Sequence, residues 1–326
     1  MKVLITGAAG MIGRKLAARL AGDGALNGTT VDHLLLVDVI APEPPAGLAG
    51  RIETKASDIS NNPDVAGLIS GRPDVIFHLA AIVSGEAELD FDKGYRINLD
   101  GTRYLLEAIR AQRDYRPKLV FASSIAVFGA PFPEAIPDDF FHTPLTSYGT
   151  QKAIAELLIA DYARRGFLDG IAIRLPTICV RPGKPNRAAS GFFSSIIREP
   201  LAGEDAILPV EESVRHWHAS PRAAVSFLLH AASLAGPQLG GRIALTMPGV
   251  CCTVGEQIAA LRRIAGDKVA ARIRHQRDPM IMRIVDGWPR RFDARRAIAL
   301  GFRAEDSFDE IIRVHIEDEL GGRIAA

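Results

Sequence analysis

The 326-residue sequence predicts an α/β fold, a doubly wound parallel sheet with a smaller C-terminal lobe. Three observations predict it. Short apolar runs alternate with longer helical patterns through the first half of the chain. The first run passes straight into a glycine-rich turn. Small, acidic or hydroxyl residues recur where the runs end, and in a parallel sheet those ends share one edge.

The first run is Lys2-Val3-Leu4-Ile5-Thr6, suited to a buried parallel strand. Gly7-Ala8-Ala9-Gly10-Met11-Ile12-Gly13 follows without a break, then a helical pattern with Leu16, Ala17 and Leu20 inside. Strand, G-x-x-G-x-x-G loop and helix in that order fit a dinucleotide site. Glycines permit the tight turn, and backbone N–H groups at the helix start can approach a pyrophosphate. Gly7, Gly10, Met11, Ile12 and Gly13 are therefore expected to touch a cofactor. The second run, His33 to Asp38, ends in a carboxylate suited to ribose hydroxyls and repulsive to a 2′-phosphate. Val39 and Ile40 follow it, with no arginine, so NAD is expected over NADP.

Arg51 to Lys55 reads as a third strand, and after it Asp58 and Ile59 offer a polar and an apolar group to an adenine ring. Asp74 to Leu79 is the fourth, continuing as Ala80-Ala81-Ile82-Val83-Ser84, where small residues let a cofactor lie near the backbone. His78 inside it reads as a satisfied core histidine. A helical pattern then runs from about Glu86 to Gln112 and contains Asn98. Lys118 to Ser124 is a fifth strand ending in two hydroxyls. Asp38, Ala80, Ala81 and Ser124 all stand at strand ends, where ligands bind in such sheets.

Ser147-Tyr148-Gly149-Thr150-Gln151-Lys152 opens the next helix. Tyr148 and Lys152 are four residues apart and so share one face. A free tyrosine, with a pKa of about 10, is a poor base at neutral pH. A nearby ammonium favours the phenolate and brings it into range.

Composition narrows the partners. A net charge of +1 argues against a nucleic-acid or membrane surface. Three cysteines, two of them adjacent, suit reduced thiols in a cytoplasmic protein, without a disulfide framework or metal-ligand spacing. No apolar run approaches the ~20 residues of a membrane span, and the amino terminus opens on a strand with no signal peptide before it.

Gly7-x-x-Gly10-x-x-Gly13, Asp38, His78-Leu79-Ala80-Ala81, Asn98, Ser123-Ser124-Ile125-Ala126-Val127-Phe128-Gly129 and Tyr148-x-x-x-Lys152 together resemble the extended short-chain dehydrogenase/reductases, the NAD-dependent epimerase/dehydratase family. The resemblance implies a Rossmann-type domain over 1–175 that also carries the catalytic residues. Residues 176–326 would then form mainly a substrate-binding lobe, with segments returning to the sheet. It implies Tyr148 as the base, Lys152 as its partner on the nicotinamide ribose, and Ser124 as the hydroxyl on the reacting oxygen, with Ser123 the near alternative. Leu79, Ala80, Ala81 and Val83 match cofactor-lining positions; Asn98 is structural or near the cofactor; Pro176 and Thr177 pack near the nicotinamide. Family members often dimerise through the helix carrying Tyr148 and the long helix before it, so a homodimer is expected.

Arg174-Leu175-Pro176-Thr177-Ile178-Cys179-Val180-Arg181-Pro182-Gly183, Pro185-Asn186 and Ala188-Ala189-Ser190-Gly191-Phe192-Phe193 further resemble the D-erythronate dehydrogenase group. Thr177 stands where epimerases usually carry an asparagine, and Phe128 where they carry a tyrosine. The resemblance implies oxidation of a small sugar acid, D-erythronate to its 2-keto acid, with NAD and no metal. Ser84, Asn186, Ser190 and Arg215 join Ser124 and Tyr148 as substrate candidates; hydroxyl and amide groups suit substrate hydroxyls, and arginine suits a carboxylate. Two other readings are a nucleotide-sugar epimerase or dehydratase, and a non-catalytic redox sensor. The presence of both Tyr148 and Lys152 counts against the sensor.

Overall fold

The computed structural model describes residues 1–183 and 190–324. These residues form two compact units. The first comprises Met1–Val127, Thr146–Arg174 and Val225–Leu245; the second comprises the described parts of Phe128–Leu145, Leu175–Ala224 and Thr246–Ala326.

The first unit is built on β1 (Lys2–Thr6), β2 (His33–Asp38), β3 (Arg51–Ala56), β4 (Val75–His78), β5 (Lys118–Ser124), β6 (Asp169–Leu175) and β7 (Ala244–Thr246). They form one sheet in the order β7-β6-β5-β4-β1-β2-β3. The pairs β3/β2, β2/β1, β1/β4 and β4/β5 are all parallel. Strands covered on both faces read as continuous apolar runs, and Val3, Leu4, Ile5, Leu34, Leu36, Ile76, Phe77, Leu119 and Val120 are indeed buried. Register sets Thr6 beside Val37 and His78, and His78 beside Phe121, so the strands finish along one edge. Strand order reverses between β1 and β4, which places the switch point of the sheet at the end of β1.

Helix α1 (Met11–Asp23) follows the glycine loop and buries Leu16, Ala17 and Leu20. Helix α2 (Asn62–Ser70) begins at an Asn61 cap with proline in its first turn. The helix expected from Glu86 to Gln112 is broken instead into four pieces. They are α3 (Ser84–Leu89), α4 (Phe91–Gly94), a π-helical turn over Tyr95–Asp100, and α5 (Gly101–Ala111). Asp90 causes the first break: its backbone leaves the helical region and its carboxylate caps the Lys93 N–H. The π-turn carries Asn98 inward; such turns recur at functional sites. Helix α6 (Ser147–Arg164) starts where Thr146 accepts the Gly149 N–H at 3.1 Å.

The second unit holds a three-stranded sheet in which Arg215–Ala219 lies between Thr177–Ile178, parallel to it, and Val250–Thr253, antiparallel. Its core joins Phe193, Ile196, Ile197 and Leu201 of α7 (Gly191–Leu201) to Leu261 and to Ile311 and Ile312 of the closing helix Phe308–Leu320.

Candidate active site

Helix α6 buries three polar side chains, Gln151, Lys152 and Glu156, where an ordinary helix would bury apolar ones. Buried polar groups require partners, and each partner here is a distinct piece of the first unit. Gln151 Oε1 accepts from Asn98 Nδ2 at 2.7 Å. Lys152 Nζ donates to the Ala122 carbonyl at 2.8 Å, on β5. Glu156 takes a bidentate pair from Arg174 of β6, with its Nη2 at 2.8 Å, and the Ser123 hydroxyl as well. Arg174 and Glu156 are only 4% and 2% exposed, so this is a fully desolvated ion pair.

Lys152 Nζ lies 5.6 Å from the Tyr148 ring centroid and 4.6 Å from that of Phe121. Burial pulls its pKa down from the ordinary lysine value to about 7, and the Glu156 carboxylate opposes that fall. The helix face thus bears phenol, amine and carboxylate at successive turns.

Ser123 and Ser124 differ in their surroundings. Ser123 is 3% exposed and its proton goes to Glu156. Ser124, half-buried at the end of β5, accepts the Ala126 N–H at 3.2 Å and keeps its own proton for another acceptor. Helix α6 packs on β5 and on the turn Ile125–Val127 that follows Ser124. A phenol, an amine and a hydroxyl thereby belong to one corner of the unit.

The glycine loop lies at the end of β1. Gly7 has φ +76°, and a Cβ there would lie 2.6 Å from Ala80 N. A Cβ on Gly13 would lie 2.2 Å from Gly7 O. Both glycines are demanded by the chain's own packing. Gly10 differs: it is exposed, its φ is −69°, and a Cβ would meet only Gly7 O, at 3.3 Å. The space beside it is open, and α1 begins there with no side-chain cap and no acidic residue in its first turn. Such a helix start suits an anion. Asp38 braces the loop, its Oδ2 accepting the Ala9 N–H at 2.9 Å and its Oδ1 the Val39 N–H at 2.8 Å.

The profile of the NAD dependent epimerase/dehydratase family matches residues 3–227. This chain belongs to that family. It is 47% identical over 323 residues to the D-erythronate dehydrogenase of Cupriavidus necator, covering 98% of both chains. It is 43% identical to that of Haemophilus influenzae, covering 98% of this chain and 100% of the relative. Its fold superposes on a crystal structure described as the nucleoside-diphosphate-sugar epimerase from Agrobacterium tumefaciens with a TM-score of 0.97. That pair shares 63% sequence identity, covering 100% of this chain and 96% of the other.

For an NAD-dependent family the open space at Gly10 is a fitting cradle, since it is the one loop glycine that the protein itself does not require. Gly10→Ala should then fold with under about 1 kcal/mol of loss while weakening NADH binding about tenfold. Gly13→Ala should lose about 1–3 kcal/mol through overpacking. Thermal melts and NADH fluorescence titration read the two effects; unchanged NADH affinity in Gly10→Ala would contradict the cradle.

Met11 and Ile12 are half-buried at the start of α1. Asp58 accepts from Ser60 N and Oγ and lies 3.7 Å from Arg96, and its side chain is 42% exposed. Ile59 is buried against Gly101, whose would-be Cβ lies 2.9 Å from Ile59 Cδ1, so its side chain is core. Leu79, Ala80, Ala81 and Val83 are half-buried beyond β4, and Ser84 begins α3. Asn98 spends its amide on Ile82 N, Ile82 O and Gln151, bracing that segment against α6. His78 is fully buried with both ring nitrogens bonded, to Thr6 and Thr102, and burial lowers its pKa to about 3.

In the second unit Ser190 accepts from Arg181 at 3.0 Å. Arg215 is exposed, 3.7 Å from Glu256, and lines a cavity of about 950 Å³ with Trp217, Arg290 and Arg291. Pro176 is buried and Thr177 bonds His216. Asn186 lies outside the described residues, as do Lys184, Pro185, Arg187, Ala188 and Ala189. Among the described residues no His, Cys, Asp or Glu cluster could hold a metal, and no helix is long and apolar enough to cross a membrane.

Sequence reading missed the supports: Glu156, Arg174, Gln151 and His216. A signal existed for two of them, because Gln151 and Glu156 fall at helical spacing with the apolar Ala155 and Ile159.

Proposed function

We propose that this protein oxidises a small sugar acid with NAD, converting D-erythronate to 2-dehydro-D-erythronate. The observation that carries the reading is its near full-length likeness to two D-erythronate dehydrogenases. In this reading Gly7, Gly10, Met11, Ile12 and Gly13 hold the pyrophosphate, Asp38 the adenosine ribose, and Asp58 and the backbone of Ile59 the adenine end. Leu79, Ala80, Ala81 and Val83 line the cofactor, Asn98 supports them, and Pro176 and Thr177 pack near the nicotinamide. Ser84, Ser190, Arg215 and Asn186 serve the substrate.

Tyr148 removes the proton of the C2 hydroxyl while Ser124 donates a hydrogen bond to the same oxygen. Bound NAD supplies the acceptor for the hydride that leaves C2. Lys152 tunes Tyr148 and holds the ribose. Lys152 loses its proton as the pH rises through about 7, and only then can this corner take up the substrate's proton. Hence kcat/KM should rise with pH through about 7 and level off above it. A profile flat from pH 6 to 9 would contradict this role.

The product tests the reaction. Oxidation at C2 gives a stable 2-keto acid, trapped as its hydrazone, whereas oxidation at C3 gives a β-keto acid that loses CO₂. Release of CO₂ would sink the C2 assignment. The second reading, a nucleotide-sugar epimerase, is favoured by the Agrobacterium relative's description. It predicts UDP-sugar interconversion with no net NADH.

Homodimerisation through α5 and α6 belongs to the same proposal, supported by Leu157, 61% exposed on α6. So does a cytoplasmic location, supported by three free thiols. Burial raises the pKa of both Cys179 and Cys252 to about 12, so neither is poised for chemistry.

A further inference from the structure

The core of the second unit contains an aromatic nest around His216, on the strand Arg215–Ala219. His216 is 3% exposed. Its ring stacks on Phe193 with centroids 5.2 Å apart and 1° between planes, and lies 5.3 Å from Trp288. Both ring nitrogens have partners of different kinds. Nδ1 lies 2.9 Å from the Pro289 carbonyl oxygen, and Nε2 lies 2.7 Å from Thr177 Oγ1.

These partners fix every proton. A carbonyl oxygen can only accept, so Nδ1 carries the hydrogen. Burial lowers the ring's pKa to about 4, against the Pro289 bond and with help from Arg181, so the imidazole is neutral at physiological pH. A neutral imidazole has one N–H. Nε2 is therefore a bare lone pair, and the proton between it and Thr177 comes from the threonine. The half-buried Thr177 hydroxyl has a single proton, and that proton is committed inward. What it offers elsewhere is lone pairs only.

We propose that His216 fixes the Thr177 hydroxyl as a hydrogen-bond acceptor, which reads a neutral donor on the bound ligand. That Thr177 meets the bound ligand, and which ligand it is, rests on the proposed function; the hydroxyl's polarity does not. The donor is an uncharged O–H or N–H, from a hydroxyl of the sugar-acid chain or the carboxamide of the nicotinamide. A carboxylate, which only accepts, is turned away at Thr177, so the acid group of the substrate is held by other residues. A site built to pair a ligand hydroxyl discriminates against the analogue lacking it, because its own polar group is then left unpaired. His216 is thus a positioning residue for specificity.

Long-range ¹H–¹⁵N NMR of the full-length protein reads the tautomer directly, with His216→Phe identifying the resonance, or His216→Gln should the first variant not fold. Nδ1–H at neutral pH is expected; Nε2–H or an imidazolium would overturn the proposal. NADH titrations and kinetics of Thr177→Val, Thr177→Ser and His216→Phe then locate the donor. If it is the carboxamide, Thr177→Val weakens NADH binding about tenfold and Thr177→Ser does not. If it is a substrate hydroxyl, NADH binding is unchanged. The preference for the parent substrate over its 3-deoxy or 4-deoxy analogue then falls about tenfold in Thr177→Val, with His216→Phe moving the same ratio. The substrate arm uses whichever panel, aldonates or UDP-sugars, the protein turns over, so failure of the D-erythronate reading leaves this test intact. Wild-type values for Thr177→Val in both arms would overturn the proposal.

Discussion

Replacing Tyr148 with phenylalanine is expected to lower kcat about 10²- to 10⁴-fold, the usual worth of a positioned acid–base group. NADH affinity should stay within about threefold of wild type, since the ring remains and only the hydroxyl is lost. The expectation rests on the arrangement of α6. Lys152 is packed between the Phe121 and Tyr148 rings and bonded to Ala122 O, so it cannot swing into Tyr148's place as a base. Ser124 is no substitute base, since its hydroxyl already accepts from Ala126 N at 3.2 Å. Steady-state kinetics and fluorescence titration of the same preparation separate the two quantities. A kcat within tenfold of wild type would remove Tyr148 from the chemistry.

Truncation of Glu156 should cost about 3–5 kcal/mol of stability, the range for breaking a buried ion pair by removing one partner. Glu156→Leu leaves the Arg174 guanidinium 4% exposed with its bidentate partner gone, and the Ser123 hydroxyl loses its acceptor. It also removes the carboxylate that raises the Lys152 pKa, so the Lys152 value should fall below about 7 and the acid limb of kcat/KM should move down with it. The double variant Glu156→Leu/Arg174→Met should recover most of the stability, because the desolvation cost of the charges vanishes with them. It should not restore the acid limb. Urea midpoints with pH–rate profiles test both halves. A single variant within about 1 kcal/mol of wild type would show that the pair is not a keystone of the site.

Much of the first unit was legible because parallel strands covered on both faces leave an unmistakable mark. The apolar runs at Lys2–Thr6, His33–Asp38 and Lys118–Ser124 became strands with those very bounds. The glycine loop was legible for a similar reason: its demands are local. The long helix was misread because a 3.6-residue pattern survives a π-turn, and the capping by Asp90 looked like one more surface charge. The different partners of Ser123 and Ser124 depend on the register of β5 against α6, which alternation alone does not supply. In the second unit the strands are two to five residues long, and residues such as His216 matter through Thr177 and Pro289, 39 and 73 positions away. No window of sequence contains that contact.

The most direct measurement is NADH absorbance after mixing the purified protein with NAD and D-erythronate, with NADP and UDP-sugars in parallel. The account predicts a rise with NAD and D-erythronate, little with NADP, and no interconversion of the sugars. Silence with every aldonate, together with epimerisation of a UDP-sugar, would contradict it.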